Sequence, residues 1–179
     1  MKYGQCGGRH IAPRKTLTPT YAASETSGMA EELMAPIIYV DANPFIYFID
    51  GKEELAAPLR PFFALLAERR GIAMTSELTL AEVLANARPH ARRGYLNLIV
   101  WSDIFQLYPV TRDILIDTSD YRRVGRKKVK LPDAIHVVTA IRSRCRAFLS
   151  ADKGLKLPPE LSAFEPDTRG ITNLMQEIS

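Results

Sequence analysis

The chain reads as an α/β protein: a three-layer α/β/α sandwich with a central, mostly parallel sheet of four to five strands. Two observations predict this. Short apolar runs, the first of them β-branched, alternate along the chain with longer stretches whose apolar residues fall at helical spacing. Strands that alternate with helices are joined by right-handed crossovers, which lay the strands parallel and place helices on both faces. No internal repeat competes with this reading.

Residues 37–40, Ile-Ile-Tyr-Val, form a short buried strand. Residues 43–49 are apolar and helical, with Pro44 in a first turn that tolerates its missing N–H. Residues 53–70 carry Leu55, Leu59, Phe62, Phe63 and Leu66 at helical spacing, which predicts one helix stopped by Gly71. Residues 72–75 are a second strand. Ser76 or Thr79 caps the helix that follows, which carries Glu82 and is broken by Pro89. A further helix runs through Tyr95, Leu98 and Ile99 to Trp101, and residues 104–110 form a third strand. A helix spans residues 113–123. The next begins at Pro132 or Asp133 and ends near Cys145. Residues 147–151 are a fourth strand and residues 162–165 a candidate fifth.

The bulk numbers suit one domain with length to spare. At 179 residues and 46% hydrophobic, the chain can bury a sizeable core. Residues 1–35 differ in composition, with Gly4, Gly7, Gly8, Pro13, Pro19 and several Ser and Thr. They are expected to be a disordered tail, or the product of a mis-called start upstream of Met29 or Met34. The domain then covers residues 36–179. A net charge of +4 and a pI near 9.1 permit a polyanionic partner without demanding one. Cys6 and Cys145 make neither a metal spacing nor a disulfide framework, which fits a reducing compartment. No apolar run approaches the roughly 18 residues of a membrane span. The basic first 15 residues lack the apolar core of a secretory signal. The expectation is a soluble, cytoplasmic protein.

Four acids stand beside apolar stretches, at the ends or starts of elements: Asp41, Glu82, Asp133 and Asp152. A carboxylate near apolar surface is costly unless it is paired, hydrogen-bonded or bound to a cation. Singly, each has an ordinary explanation. Asp41 can be a strand-end turn or a helix cap, and Glu82 the fourth member of a capping box begun by Thr79. Asp133 can cap its helix, and Asp152 can make a turn in Ser150-Ala151-Asp152-Lys153-Gly154. Together they mean more. In an open parallel sheet, sites form beyond the carboxyl ends of the strands. Asp41 and Asp152 lie just past two strands, and Glu82 and Asp133 lie on helices that return to that edge. Such carboxylates can hold one or two Mg²⁺ or Mn²⁺ ions, which prefer oxygen ligands and can activate a water against a phosphodiester.

The local settings of the acids are Val40-Asp41-Ala42-Asn43, Thr75-Ser76-Glu77-Leu78-Thr79-Leu80-Ala81-Glu82-Val83, Leu131-Pro132-Asp133-Ala134-Ile135-His136-Val137-Val138-Thr139-Ala140, and Phe148-Leu149-Ser150-Ala151-Asp152. In this order, from about residue 37 to residue 166, they resemble the PIN-domain ribonucleases, the family that includes VapC-type toxins. The resemblance implies a PIN-like sandwich in which Asp41, Glu82, Asp133 and Asp152 are both the metal ligands and the catalytic set. It implies RNA as substrate, a possible cognate antitoxin and a homodimer. Asn43, Ser76 and Ser150 match polar positions beside the acids, as supporting residues that can equally be caps or turn residues. His136 follows Asp133 by three residues and shares its helical face. A packed histidine outweighs a catalytic base there, because the metals already supply the activated water.

Directly before Asp133 lies a run with six bases and no acid: Arg122, Arg123, Arg126, Lys127, Lys128 and Lys130. It is the candidate RNA-binding segment, because such charges release counterions from a nucleic acid. The arginines at 88, 92, 93, 142, 144 and 146 can extend it or be solvated surface. No aromatic-interleaved RNA-reading motif is present, so sequence preference is unreadable. The reading is a metal-dependent endoribonuclease serving as a toxin. Its rivals are an RNA-processing nuclease without antitoxin and a PIN-like module that binds RNA or protein without cleaving.

Overall fold

Five strands form the sheet: β1 (Ile38–Val40), β2 (Ala73–Ser76), β3 (Phe105–Tyr108), β4 (Ala147–Leu149) and β5 (Ser162–Phe164). The order across the sheet is β3-β2-β1-β4-β5, and every neighbouring pair is parallel. Tyr39 on the central strand pairs with Met74 on one side and Phe148 on the other. The computed structural model describes residues 37–124, 129–155 and 157–178. The tail expected over residues 1–35 lies outside the described residues.

The helices are α1 (Ala42–Ile49), α2 (Glu53–Ala56), α3 (Leu59–Glu68), α4 (Glu77–Ala85), α5 (Arg92–Leu96), α6 (Arg112–Arg123), α7 (Leu131–Arg142) and α8 (Thr168–Glu177). A π-helical turn, Asn97–Trp101, prolongs α5. Side chains alternate across a strand, so each strand serves two cores. Ile38, Val40, Ala73, Ala147 and Leu149 face one layer, where they meet Phe45 of α1, Phe62, Phe63 and Leu66 of α3, Val83 of α4 and Leu174 of α8. Tyr39, Met74 and Phe148 face the other, against Val137 and Ala140 of α7. Ile114, Ile135 and Val138 then join α6 to α7. This is the expected three-layer sandwich.

Several boundaries differ from expectation for local reasons. The helix expected over residues 53–70 is two helices, because Pro58 has no N–H to continue the first and stands at the start of the second. Gly71 still supplies the turn, at φ +86°. Ser76, not Thr79, caps α4: its Oγ accepts from the Leu78 N–H at 3.1 Å. β3 ends at Tyr108, before Pro109. α7 starts at Leu131, so Pro132 sits in the first turn and Asp133 is its third residue, not its cap.

Candidate metal centre

The strand order explains where a site can form. The chain builds outward from β1 to β2 and β3, then returns to place β4 on the other side of β1. The crossovers on either side of β1 and β4 run in opposite directions, which opens a crevice at their carboxyl ends.

Asp41 is the first residue past β1, tied down by its N–H to the Leu149 carbonyl at 3.0 Å. One carboxylate oxygen caps α1 by accepting from the Ala42 N–H at 2.8 Å. The other accepts from the Ser150 hydroxyl at 2.7 Å. The cap reading of Asp41 is therefore correct, and it fixes the carboxylate at the crevice. Glu82 lies in α4, a third exposed, with Oε2 2.8 Å from His136 Nε2. Its carboxylate is bound to that ring, not folded back on its own helix end, so no capping box forms. Asp133 stands half-buried in the first turn of α7. Its carboxyl is held above the ordinary range, first by burial and then by the charges of Asp152 and Asp41, with Lys130 and His136 pulling the other way. Asp152 follows β4 in the turn expected for it: Oδ1 accepts from the Gly154 N–H at 2.8 Å, and its own N–H reaches Ser150 Oγ at 3.1 Å.

Asp133 thus feels the charges of Asp152 and Asp41, while Glu82 comes near Asp41 at the His136 ring; Asp133 and Asp152 stand outside that tighter group. Lys153, the base next to Asp152, is turned away to Glu165 at 2.8 Å. Like charges gathered with little balancing base are what a cation relieves. Asp41, Glu82 and His136 present ligand atoms within 4.8 Å of one another. An oxygen-dominated donor set fits a hard divalent ion such as Mg²⁺ or Mn²⁺.

His136 is the residue sequence reasoning undervalued. It is buried, as a packed histidine should be, yet it also belongs to the site. Its Nδ1 lies 2.6 Å from the Tyr39 hydroxyl, and its Nε2 lies 2.8 Å from Glu82 and 3.6 Å from Asp41. The available signal was an ionisable side chain inside the largely apolar run from Ala134 to Ala140, which must find partners when buried. Tyr39, from the central strand, closes this line. Its phenol is pushed well above the ordinary range, by burial first and then by the Asp41 charge, while the Ser76 and Thr79 hydroxyls act in the opposite sense. Ser76 thus serves α4 and Tyr39, Ser150 serves Asp41, and Asn43 sits half-buried in the first turn of α1.

The basic run is partly committed to structure. Arg122 Nε donates to the Val129 carbonyl at 3.1 Å, and Arg123 pairs with Asp120 at 3.1 Å. Lys130 is exposed just ahead of α7. Arg126, Lys127 and Lys128 lie outside the described residues. Elsewhere, Arg88 approaches Asp50 at 4.0 Å and Arg142 pairs with Asp117.

Fold and site together define a doubly wound α/β protein with a carboxylate cluster at its switch point. The family comparison makes this specific. The PIN domain model matches residues 38–160, and the chain belongs to the PIN domain family. Among solved structures, the fold is similar to a toxin–antitoxin complex from Klebsiella pneumoniae (22% identity, TM-score 0.52, covering 70% of this chain and 95% of that one). It is also similar to FitAB bound to an IR36 DNA fragment (15%, 0.52, 72% and 94%) and to FitAcB from Neisseria gonorrhoeae (16%, 0.52, 72% and 97%). At these identities the likeness concerns the fold. The comparison with curated proteins finds no match.

Proposed function

We propose that this PIN-domain protein is a Mg²⁺- or Mn²⁺-dependent endoribonuclease and the toxin of a toxin–antitoxin pair. The observation that supports the reading is the closeness of Asp41, Glu82 and His136 past β1, together with an Asp133 carboxyl held up by burial and by the charges of Asp152 and Asp41. When bound, a divalent ion supplies Lewis-acid charge that acidifies a water and offsets phosphate charge.

The chain's own residues do the rest. Asp41, held by the Ala42 N–H and the Ser150 hydroxyl, presents a fixed carboxylate. Glu82, Asp133 and Asp152 complete the ligand set from three other elements. Lys130, exposed at the start of the helix that carries Asp133, offers a phosphate contact, and the basic run before it in sequence offers more. An exposed turn at Asp152 leaves the edge open to a polymer rather than to a small buried substrate.

An antitoxin partner is supported by structural likeness to toxin–antitoxin complexes. A homodimer is supported by Leu115 and Ile116 on α6 and Leu131 on α7, large apolar side chains each about half exposed. Among the described residues no helix is long and apolar enough to cross a membrane.

The test is cleavage of a mixed-sequence single-stranded RNA with Mg²⁺, with Mn²⁺ and with EDTA, for wild type, Asp41→Asn and Asp133→Asn. The reading expects metal-dependent cutting that both variants lose by at least ~10²-fold, the scale of removing one charge-stabilising group. Cutting that survives EDTA or both substitutions would falsify it. Co-purification of a short DNA-binding partner encoded beside this gene would favour a toxin over an RNA-processing nuclease.

A further inference from the structure

We propose that His136 is the positioning residue of this centre: through a buried line from Tyr39 it holds the Glu82 carboxylate in place for the cation. The inference rests on the metal-centre reading above.

The line runs from the middle strand to the middle of the site. Tyr39 is wholly buried on β1, and its ring stacks on Phe148 of β4 with centroids 5.0 Å apart and planes 13° from parallel. Pinned by strand pairing and stacking, its hydroxyl meets Nδ1 of His136 at 2.6 Å. The imidazole is 2% exposed, in the second turn of α7, so it has little freedom to turn. Its far nitrogen meets Glu82 at 2.8 Å. Hydrogen bonding assigns the protons. A carboxylate only accepts, so Nε2 bears the hydrogen that reaches Glu82. Nδ1 then accepts from the phenol, which donates its only hydrogen. For a neutral ring the Glu82 end sets this tautomer, and the phenol, able to donate or accept, follows it.

Glu82 needs such a hold more than the other acids do. Asp41 has two donors, one of them backbone, and Asp152 has the Gly154 N–H. Glu82 is longer, a third exposed, and lies within its helix with no cap or turn to orient it. The His136 N–H is the constraint that places one of its oxygens and leaves the other for a ligand. The same N–H, 3.6 Å from Asp41, faces the gap between the two carboxylates. Outer partners of this kind typically change metal affinity 10- to 100-fold when removed.

The experiment is a Mn²⁺ titration followed by electron paramagnetic resonance on purified full-length protein, with thermal unfolding in EDTA measured for each variant. His136→Leu removes the donor and keeps bulk; His136→Gln restores an N–H near the Nε2 position. We expect His136→Leu to bind Mn²⁺ ~10- to 100-fold more weakly than wild type, and His136→Gln to recover most of that loss. If His136→Leu does not fold, Tyr39→Phe carries the test, with weakened binding expected because the ring loses its anchor. Wild-type affinity in folded His136→Leu, or in Tyr39→Phe where that variant must stand in, overturns the inference. Equal loss in Leu and Gln variants, with nitrogen hyperfine coupling to Mn²⁺ in wild type, also overturns it, by making His136 a ligand. A wild type that binds no Mn²⁺ sinks the metal-centre reading instead, which separates the two failures.

Discussion

Asp133 shows how one side chain can trade stability for a site. Burial and the charges of Asp152 and Asp41 raise its carboxyl. A group whose value is raised on folding stabilises the fold fully below its unfolded value, and that contribution is lost as pH rises through the folded value. At neutral pH, without metal, the charged Asp133 therefore opposes folding. Asp133→Asn should raise Tm in EDTA at pH 7, and the gain should vanish below about pH 4, where the unfolded carboxyl is also protonated. A thermal melt series across pH reads this directly; a lower Tm for the variant at pH 7 would contradict it. Asp41 is a different case, because it caps α1 as well as facing the crevice. Asn caps as well as Asp, whereas Ala does not. In EDTA, Asp41→Ala should therefore be about 1 kcal/mol less stable than Asp41→Asn in urea unfolding. Equal stability would mean that the cap hydrogen bond contributes nothing.

At the level of elements, most of the architecture was legible because hydrophobic period changes with secondary structure. All five strands fall within the short runs predicted for them between helices, and the helix that carries Glu82 begins at one of its two candidate caps. What failed to read were interruptions set by a single backbone group. Pro58 divides the helix expected over residues 53–70, since apolar spacing is silent about a missing N–H. The start of α7 moved upstream because proline fits the first helical turn, which turns Asp133 from a cap into a first-turn side chain. Asp41, Asp133 and Asp152 could be found from sequence because each sits at or near an element boundary, whereas Glu82 lies inside α4 and is found only through the motif around it. His136 could not be weighed properly, because its partners Tyr39 and Glu82 are 97 and 54 residues away. Ser76 deserves a direct measurement, since it won the cap over Thr79. Ser76→Ala should cost about 1 kcal/mol of stability in urea unfolding. A cost near zero would imply that α4 is held by packing on α1 and not by its cap.

For the whole molecule, the sequence puts a basic run directly before α7, the helix that carries Asp133. The net charge of +4 is modest, so on the proposed ribonuclease reading RNA affinity should depend on that local run. Replacing Arg126, Lys127 and Lys128 by glutamine should lower the slope of log affinity against log salt by up to about 2, at roughly 0.7 per phosphate contact on single strands. An unchanged slope would remove those residues from the footprint. The crevice, in turn, should couple folding to cation. At Mn²⁺ about 100 times its Kd, stabilisation should reach about 2.7 kcal/mol, or roughly 5–10 °C in Tm for a chain of this length. Asp41→Asn should lose most of that increment. The most direct measurement is anomalous diffraction from crystals grown with Mn²⁺. A peak ligated by oxygens of Asp41, Glu82 and at least one of Asp133 and Asp152 is the predicted result. A crevice without a peak at saturating Mn²⁺, or Mn²⁺ bound only elsewhere, would contradict the account.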